Sequence, residues 1–130
     1  MKRDMDLIRK IVFAIEELPH HHLAEPIKID GYDDEFVGFQ WYLMMEAGLI
    51  KGFDATGRGT SPQAIPFWLT WAGYEFADSA RNDSIWQMAK KTIKDNIGSV
   101  SMALLTELLK HLGKQAIGVF VPGSGIAVDK

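Results

Sequence analysis

Three consecutive histidines, His20, His21 and His22, are the side chains in this sequence best suited to bind a metal ion. Consecutive residues in a loop do not converge on one ion unless the backbone wraps around it, and no second group of ligands accompanies them. The chain has no cysteine, which excludes thiolate-bound zinc, iron–sulfur clusters and thiol catalysis. We therefore predict solvated loop histidines, and no metal or other cofactor.

Three consecutive acids, Asp33, Asp34 and Glu35, could supply a carboxylate for acid–base catalysis. Their position at a predicted helix start explains them without chemistry, because carboxylates there cap free backbone N–H groups and suit the positive end of the helix dipole. One histidine, His111, follows the serines at 99 and 101, and this does not indicate a Ser-His-Asp triad. The sequence predicts a protein that is not an enzyme and has no small-molecule substrate.

Two cations, Lys51 and Arg58, are the candidates for contacts with nucleic acid. Arg58 lies in Gly57-Arg58-Gly59-Thr60, which lacks the lysine and the strand-then-helix context of a phosphate-binding loop, so we predict a flexible loop tip. Other basic residues cluster only at 2–10 and 90–94, where they are expected on solvated helix faces. With 14 Lys and Arg against 17 Asp and Glu, the net charge is −3, so we expect nucleic-acid binding to be weak.

Apolar residues at helical spacing predict five helices, separated by proline, glycine and capping residues. The first ends before Pro19, the second begins after Asp33 and ends at Gly48, and the third begins after Thr70. Gly98 and Gly113 are expected to end the last two helices. The helices are predicted at about 7–18, 34–47, 71–81, 84–97 and 104–112.

Short apolar runs at 49–53 and 65–69 predict two strands on either side of a glycine-rich loop. The alternating run at 27–29 predicts a third, very short strand. In the tail, two apolar runs between 116 and 128 flank a Pro-Gly-Ser-Gly sequence, which leaves two alternatives open: a hairpin, or a helical extension through Val119.

The predicted order of elements, helix, short strand, helix, strand, loop, strand, helix, is typical of a winged helix. Residues 43–50 (Leu-Met-Met-Glu-Ala-Gly-Leu-Ile) resemble the end of its recognition helix, and residues 69–76 (Leu-Thr-Trp-Ala-Gly-Tyr-Glu-Phe) resemble its wing-to-helix junction. With Gly31-Tyr32 and the opening Met-Lys-Arg-Asp-Met-Asp-Leu-Ile-Arg, the sequence resembles an uncharacterised bacterial and prophage family of winged-helix-like proteins over residues 1 to about 100. The resemblance implies no catalytic residues.

The expected fold is mostly α with a small β wing. A winged-helix-like domain at 1–81 is followed by a C-terminal helical extension and tail at 82–130, which we expect to pack as part of the same single domain. The charged amino terminus does not resemble a signal peptide, and no apolar run approaches the ~20 residues that span a bilayer. We therefore expect a soluble cytoplasmic protein without membrane contacts.

The helix predicted after Asp33 differs from helices that read DNA, because residues 33–48 carry a charge of −4 and no lysine or arginine. Helical spacing places Phe39, Tyr42, Met45 and Glu46 on its outer side, where they are candidates for an interface with a protein partner or a second copy of the chain. The core is predicted to be anchored by Ile8, Ile11, Ile15, Val37, Trp41, Met44, Leu69 and Phe76.

The function expected from these features is that of a non-catalytic winged-helix interaction module, an accessory regulator of the phage or mobile-element type that acts through protein contacts. The alternative is a DNA-binding transcriptional regulator that uses the wing and the basic helix faces.

Overall fold

The computed structural model describes residues 1–19, 25–96 and 98–120, with side chains to residue 117. Its elements are α1 (Met5–Glu16), α2 (Asp34–Glu46), β1 (Ile50–Asp54), β2 (Ala64–Leu69), α3 (Trp71–Ser79), α4 (Asp83–Asn96) and α5 (Met102–Phe120). The predicted class, mostly helical with a small antiparallel sheet of two strands, is confirmed. His20, His21 and His22 lie outside the described residues, and the prediction for them stays a prediction.

The chain divides into two compact units, Met1–Ala77 and Asp78–Lys130. The first contains α1, α2, the β1–β2 hairpin and nearly all of α3, and the second contains α4 and α5. The predicted boundary after Arg81 lies close to this division.

In the first unit, α1 packs against α2 and β2, and α2 packs against both strands. The side chain of Asp4 caps α1 by accepting a hydrogen bond from the backbone N–H of Leu7 at 3.0 Å, and Asp33 caps α2 in the same way through Phe36 at 3.2 Å. All eight predicted core anchors are buried.

The second helix ends as predicted, with Gly48 in the left-handed conformation at a φ of 78°. The backbone N–H of Leu49 then donates to the carbonyl of Met44 at 2.9 Å, which closes the last turn. Helical spacing also places Ala47 on the inner side of α2 with Trp41 and Met44, but Ala47 is exposed because it is the C-cap residue.

The hairpin contains a β-bulge that determines which side chains it exposes. Ile50 pairs with Leu69 and Lys51 with Trp68, but Gly52 pairs with Pro66, so Phe67 is an extra residue in β2. In a strand without a bulge, the alternation that buries Ala64 and Pro66 would also bury Trp68 and expose Leu69. The bulge reverses the alternation, so that Leu69 is buried and Trp68 is exposed.

Thr70 joins the hairpin to α3. Its hydroxyl accepts a hydrogen bond from the backbone N–H of Gly73 at 3.1 Å and donates to the carbonyl of Gly48 at 2.5 Å, while its own N–H donates to the carbonyl of Leu49 at 3.0 Å. The predicted cap is confirmed, and Gly73 approaches the backbone of Leu49 closely. A Cβ atom at Gly73 would collide with the carbonyl oxygen of Leu49.

In the second unit, the helical spacing of apolar residues from Ile85 predicts that Met88, Ala89 and Thr92 of α4 face inward. Ala89 is buried, but Met88 and Thr92 are exposed. That pattern is wrong because Trp86, the largest apolar side chain of α4, takes the buried position. In α5, Leu105 and Leu109 are buried and Leu104 is exposed.

Two further elements differ from the prediction. The helix α5 does not end at Gly113 but continues to Phe120, so the helical alternative for the tail is confirmed that far, and residues 121–130 lie outside the described part. The good helix formers Lys114, Gln115 and Ala116 carry the helix past the glycine. Residues 27–29 do not form the predicted strand, because three residues that follow Pro26 offer few ladder hydrogen bonds.

Candidate interaction surface

The predicted interface on α2 is less open than expected. Phe39, Tyr42 and Met45 are half-buried rather than exposed, and only Glu46 of the four candidates is exposed. The structure therefore brings the four residues together on one side of the helix but does not make them a large apolar surface.

This side of α2 is electronegative. The carboxylate of Glu46, one turn after Tyr42, is the main cause that raises the pKa of the Tyr42 phenol, followed by partial burial and the carboxylate of Asp54. The pKa of Asp54 is itself lowered, because its carboxylate accepts hydrogen bonds from the side chain and the backbone N–H of Thr56. Two ionised carboxylates near Tyr42 disfavour a phosphate there.

The three acids at the start of α2 have structural partners, and the predicted capping role is confirmed for Asp33. Asp34 forms an exposed ion pair with Lys28 at 3.1 Å. The Oε2 atom of Glu35 accepts hydrogen bonds from the backbone N–H of Ser61 at 2.9 Å and from the Ser61 hydroxyl at 3.0 Å. Each of the three carboxylates therefore has a contact that supports the fold.

Large exposed apolar side chains of the first unit lie instead on the outer side of the hairpin. Trp68 is 57% exposed and Phe53 is 39% exposed, and the half-buried ring of Phe67 lies between them. The Phe67 ring centroid is 5.6 Å from that of Phe53 in an edge-to-face arrangement and 5.5 Å from that of Trp68. The three rings form a continuous aromatic cluster.

Two more exposed aromatic side chains lie on the first turn of α3. Trp71 is 82% exposed, and Tyr74, one turn further on the same helix face, is 45% exposed. Trp71 follows Trp68 by three residues, a span of at most about 10 Å of chain. We call Phe53, Phe67, Trp68, Trp71 and Tyr74 the aromatic surface.

Sequence reasoning missed the aromatic surface, although one signal for Trp68 was present. Leu69 was predicted to face the core, and its neighbour in a strand must then point to the opposite side. The signal for Trp71 was weaker. Trp71 directly follows Thr70, the cap residue of α3, and therefore lies at the end of its helix.

The two predicted nucleic-acid contacts, Lys51 and Arg58, are both exposed. Lys51 lies opposite Trp68 in the strand pairing, whereas Arg58 lies in the loop between the strands. Exposed acids accompany them, with Asp54 at the end of β1 and Glu75 on α3. In the second unit, Lys91 is paired with Asp95 at 2.7 Å. In the first unit, Lys51 and Arg58 therefore do not form a purely basic surface.

A cavity of about 610 Å³ lies in the first unit between the extended segment that begins at Glu25, the start of α2 and the hairpin. Its walls include Trp41, Ala64 and Ile65, and its rim includes Lys28 and Glu35, which are already bonded to Asp34 and Ser61. The indole N–H of Trp41 is buried and lacks a hydrogen-bond acceptor among the described residues. The cavity has the size of a ligand site, but the polar contacts of Lys28 and Glu35 at its rim are made with other residues of the fold.

Neither a metal site nor a membrane span is found in the described parts of the chain. Within residues 1–19, 25–96 and 98–120, no group of three or more histidine, aspartate or glutamate side chains is arranged to hold a metal ion. No helix in the same residues is long and apolar enough to cross a membrane.

Comparison with known proteins identifies the family. Residues 2–100 match the model of a family described as "Hypothetical protein (DUF2513)". An "Uncharacterized protein" of Haemophilus influenzae (strain ATCC 51907 / DSM 11121 / KW20 / Rd) is 34% identical over 118 residues, which cover 90% of this chain and 96% of that protein. No solved structure matches the chain significantly. The chain belongs to the DUF2513 family.

Proposed function

We propose that this member of the DUF2513 family is a non-catalytic interaction module that binds protein through its aromatic surface. The observation that carries the proposal is the exposure of two tryptophans, Trp68 and Trp71, within three residues of each other. Tryptophan and tyrosine are the residues most enriched among those that dominate the binding energy of protein interfaces.

The amount of exposed aromatic area supports this role. A fully exposed aromatic side chain presents ~150–250 Å², so the fractional exposures of Phe53, Trp68, Trp71 and Tyr74 correspond to roughly 500 Å² in all. The largest apolar patch on an ordinary monomer exposes ~300–600 Å², so these separate side chains together expose an area of that order. The side of α2 that the sequence predicts as an interface exposes less apolar area, because Phe39, Tyr42 and Met45 are half-buried. It is the second candidate for the binding surface.

A winged-helix-like arrangement of the first unit is part of this proposal. It is supported by the order of α1, α2 and a hairpin followed at once by α3, and by the packing of α2 against both strands. The role of accessory regulator in a phage or mobile element remains a prediction from the resemblance of the sequence.

The alternative, a DNA-binding regulator, has the support of exposed Lys51 and Arg58. It is disfavoured by the charge of −4 at 33–48 and by the two carboxylates near Tyr42, because each acid repels phosphate instead of releasing a counterion.

The proposal is tested with tagged full-length chain as bait in extracts of its own host, followed by purification of any recovered protein, another copy of the chain included. Binding is then measured for the parent and for Trp68→Ser/Trp71→Ser. We expect the double variant to bind at least about tenfold more weakly. The control is Met88→Ser/Leu104→Ser, which changes two side chains that are each 51% exposed but lie outside the aromatic surface.

Equal affinity of parent and Trp68→Ser/Trp71→Ser for every recovered protein would contradict the proposal. So would equal losses in the test and control variants, because a general loss of exposed apolar area would then explain the result.

A further inference from the structure

The aromatic surface has the properties of a self-complementary interface. In a twofold dimer both copies use the same surface. Each residue must therefore contact a residue of that same surface with complementary shape and charge. A surface with one sign of charge repels its own copy, whereas aromatic rings pack on one another in offset or edge-to-face geometry. Phe53 and Phe67 already pack edge to face within one chain.

The charges around the aromatic surface are mixed. Lys51 is exposed opposite Trp68, Asp54 is exposed next to Phe53, and Glu75 is exposed next to Tyr74. A polyanion requires a surface of positive charge, which these residues do not provide. A second copy, turned by a twofold axis, can instead place cations of one chain near acids of the other.

The exposed area also fits what a dimer requires. Two copies that cover their aromatic surfaces would remove on the order of 1,000 Å² from water, from the four most exposed rings of each chain. A specific interface of standard size buries about 1,200–2,000 Å² in total. The aromatic rings would form most of such an interface, and a narrow rim that includes Lys51 and Glu75 completes it.

From these observations we infer that the aromatic surface binds a second copy of this chain, so that the protein is a symmetric dimer held by Trp68 and Trp71. This inference rests on the proposed function, and it identifies the protein bound at the aromatic surface as a second copy of the chain.

The test is light scattering and sedimentation equilibrium of the purified full-length chain over a wide range of concentration. The parent is expected to have twice the 14.6 kDa mass of the chain, and Trp68→Ser/Trp71→Ser is expected to be monomeric or to dimerise at least tenfold more weakly. Because both tryptophans are exposed, the variant should retain the circular dichroism and unfolding transition of the parent. Met88→Ser/Leu104→Ser should remain dimeric.

A single substitution, Lys51→Glu, provides a second readout that does not remove apolar area. It is expected to weaken the dimer at low salt, and high salt should reduce the difference from the parent. A parent that is monomeric at every concentration would overturn the inference, as would a dimer that is unaffected by Trp68→Ser/Trp71→Ser.

The outcomes separate this inference from the proposed function. A monomeric parent that binds a different purified protein, and loses it in Trp68→Ser/Trp71→Ser, overturns self-association and leaves the interaction module intact. A monomeric parent that binds single-stranded DNA or anionic vesicles through the same tryptophans, and no protein, overturns both.

Discussion

Glu35 and Ser61 connect the start of α2 to the loop of the hairpin through two hydrogen bonds to one carboxylate oxygen. Gln63 strengthens this connection, since its side-chain amide donates to the backbone carbonyl of Glu35 at 2.8 Å and to the Ser61 hydroxyl at 2.9 Å. The loop is therefore held at its base, although it is exposed to solvent.

The first prediction concerns the pH dependence of this connection. The backbone N–H and then the hydroxyl of Ser61 lower the pKa of Glu35 from its ordinary value of 4.5, because both donate to the charged carboxylate. Its stabilising contribution is therefore complete above pH 4.5 and is lost as the pH falls through the lower pKa of the folded protein. Melting curves of the parent and Glu35→Gln should differ slightly at neutral pH and converge in acid. A constant difference would show that ionisation of Glu35 does not contribute.

The second prediction concerns the core of the first unit. Ile11 of α1 and Met44 of α2 are fully buried, so Ile11→Ala and Met44→Ala should each lower the free energy of unfolding by ~2–5 kcal/mol in chemical denaturation. Met88→Ala, at an exposed position of α4, should change it by less than about 0.5 kcal/mol. Parent-like stability of both core variants would contradict the observed packing.

The third prediction concerns Gln40, the fully buried polar side chain between α1 and α2. Its Oε1 atom accepts a hydrogen bond from the backbone N–H of Asp4 at 2.8 Å, and its Nε2 atom donates to the carbonyl of Lys2 at 2.9 Å. Gln40→Leu leaves both backbone groups without this partner and should lower the free energy of unfolding by about 1–3 kcal/mol. Gln87→Leu, at an exposed position, serves as the control and should have little effect.

The fourth prediction uses two helical glycines with opposite surroundings. Gly73→Ala should destabilise the protein by about 1–3 kcal/mol, because the new Cβ atom would meet the carbonyl oxygen of Leu49. Gly113→Ala adds its methyl group to open space inside α5 and should stabilise the protein by about 0.5–1 kcal/mol. Thermal and chemical unfolding measure both, and equal effects of the same sign would show that the contact at Gly73 is unimportant.

The fifth prediction concerns DNA. We expect weak, non-specific binding at most, and Asp34→Asn/Glu46→Gln should raise whatever affinity exists by removing charges that repel phosphate. Glu35 is left unchanged because its carboxylate holds Ser61. Fluorescence anisotropy with duplex DNA across salt concentrations measures the effect. Tight, sequence-selective binding by the parent at physiological salt would favour the DNA-binding alternative over the interaction module.

The sequence was sufficient to predict features that depend on local spacing. The caps Asp33 and Thr70, the end of α2 at Gly48 and the buried faces of α1 and α2 follow from neighbours a few residues apart. The sequence was not sufficient where contacts between residues far apart in the chain determine the structure. The bulge at Phe67 exists only in the pairing of β2 with β1.

The same limit applies to the candidate surface. Phe39, Tyr42 and Met45 were placed on the correct side of their helix, but their half-burial depends on neighbours that helical spacing does not identify. The sequence does not distinguish core from interface positions for Trp68 and Trp71, and only the structure shows that both are open to solvent.

The extra residue in β2 has an evolutionary consequence. Phe67 is the extra residue that reverses the alternation of buried and exposed side chains in β2. The outer residues of the hairpin can therefore be exchanged while Ala64, Pro66 and Leu69 remain buried. Relatives that keep the bulge are then free to diverge at the positions of Phe53, Phe67 and Trp68 without losing the fold. Exchanges at these three positions would change the outer side of the hairpin and leave its buried side as it is.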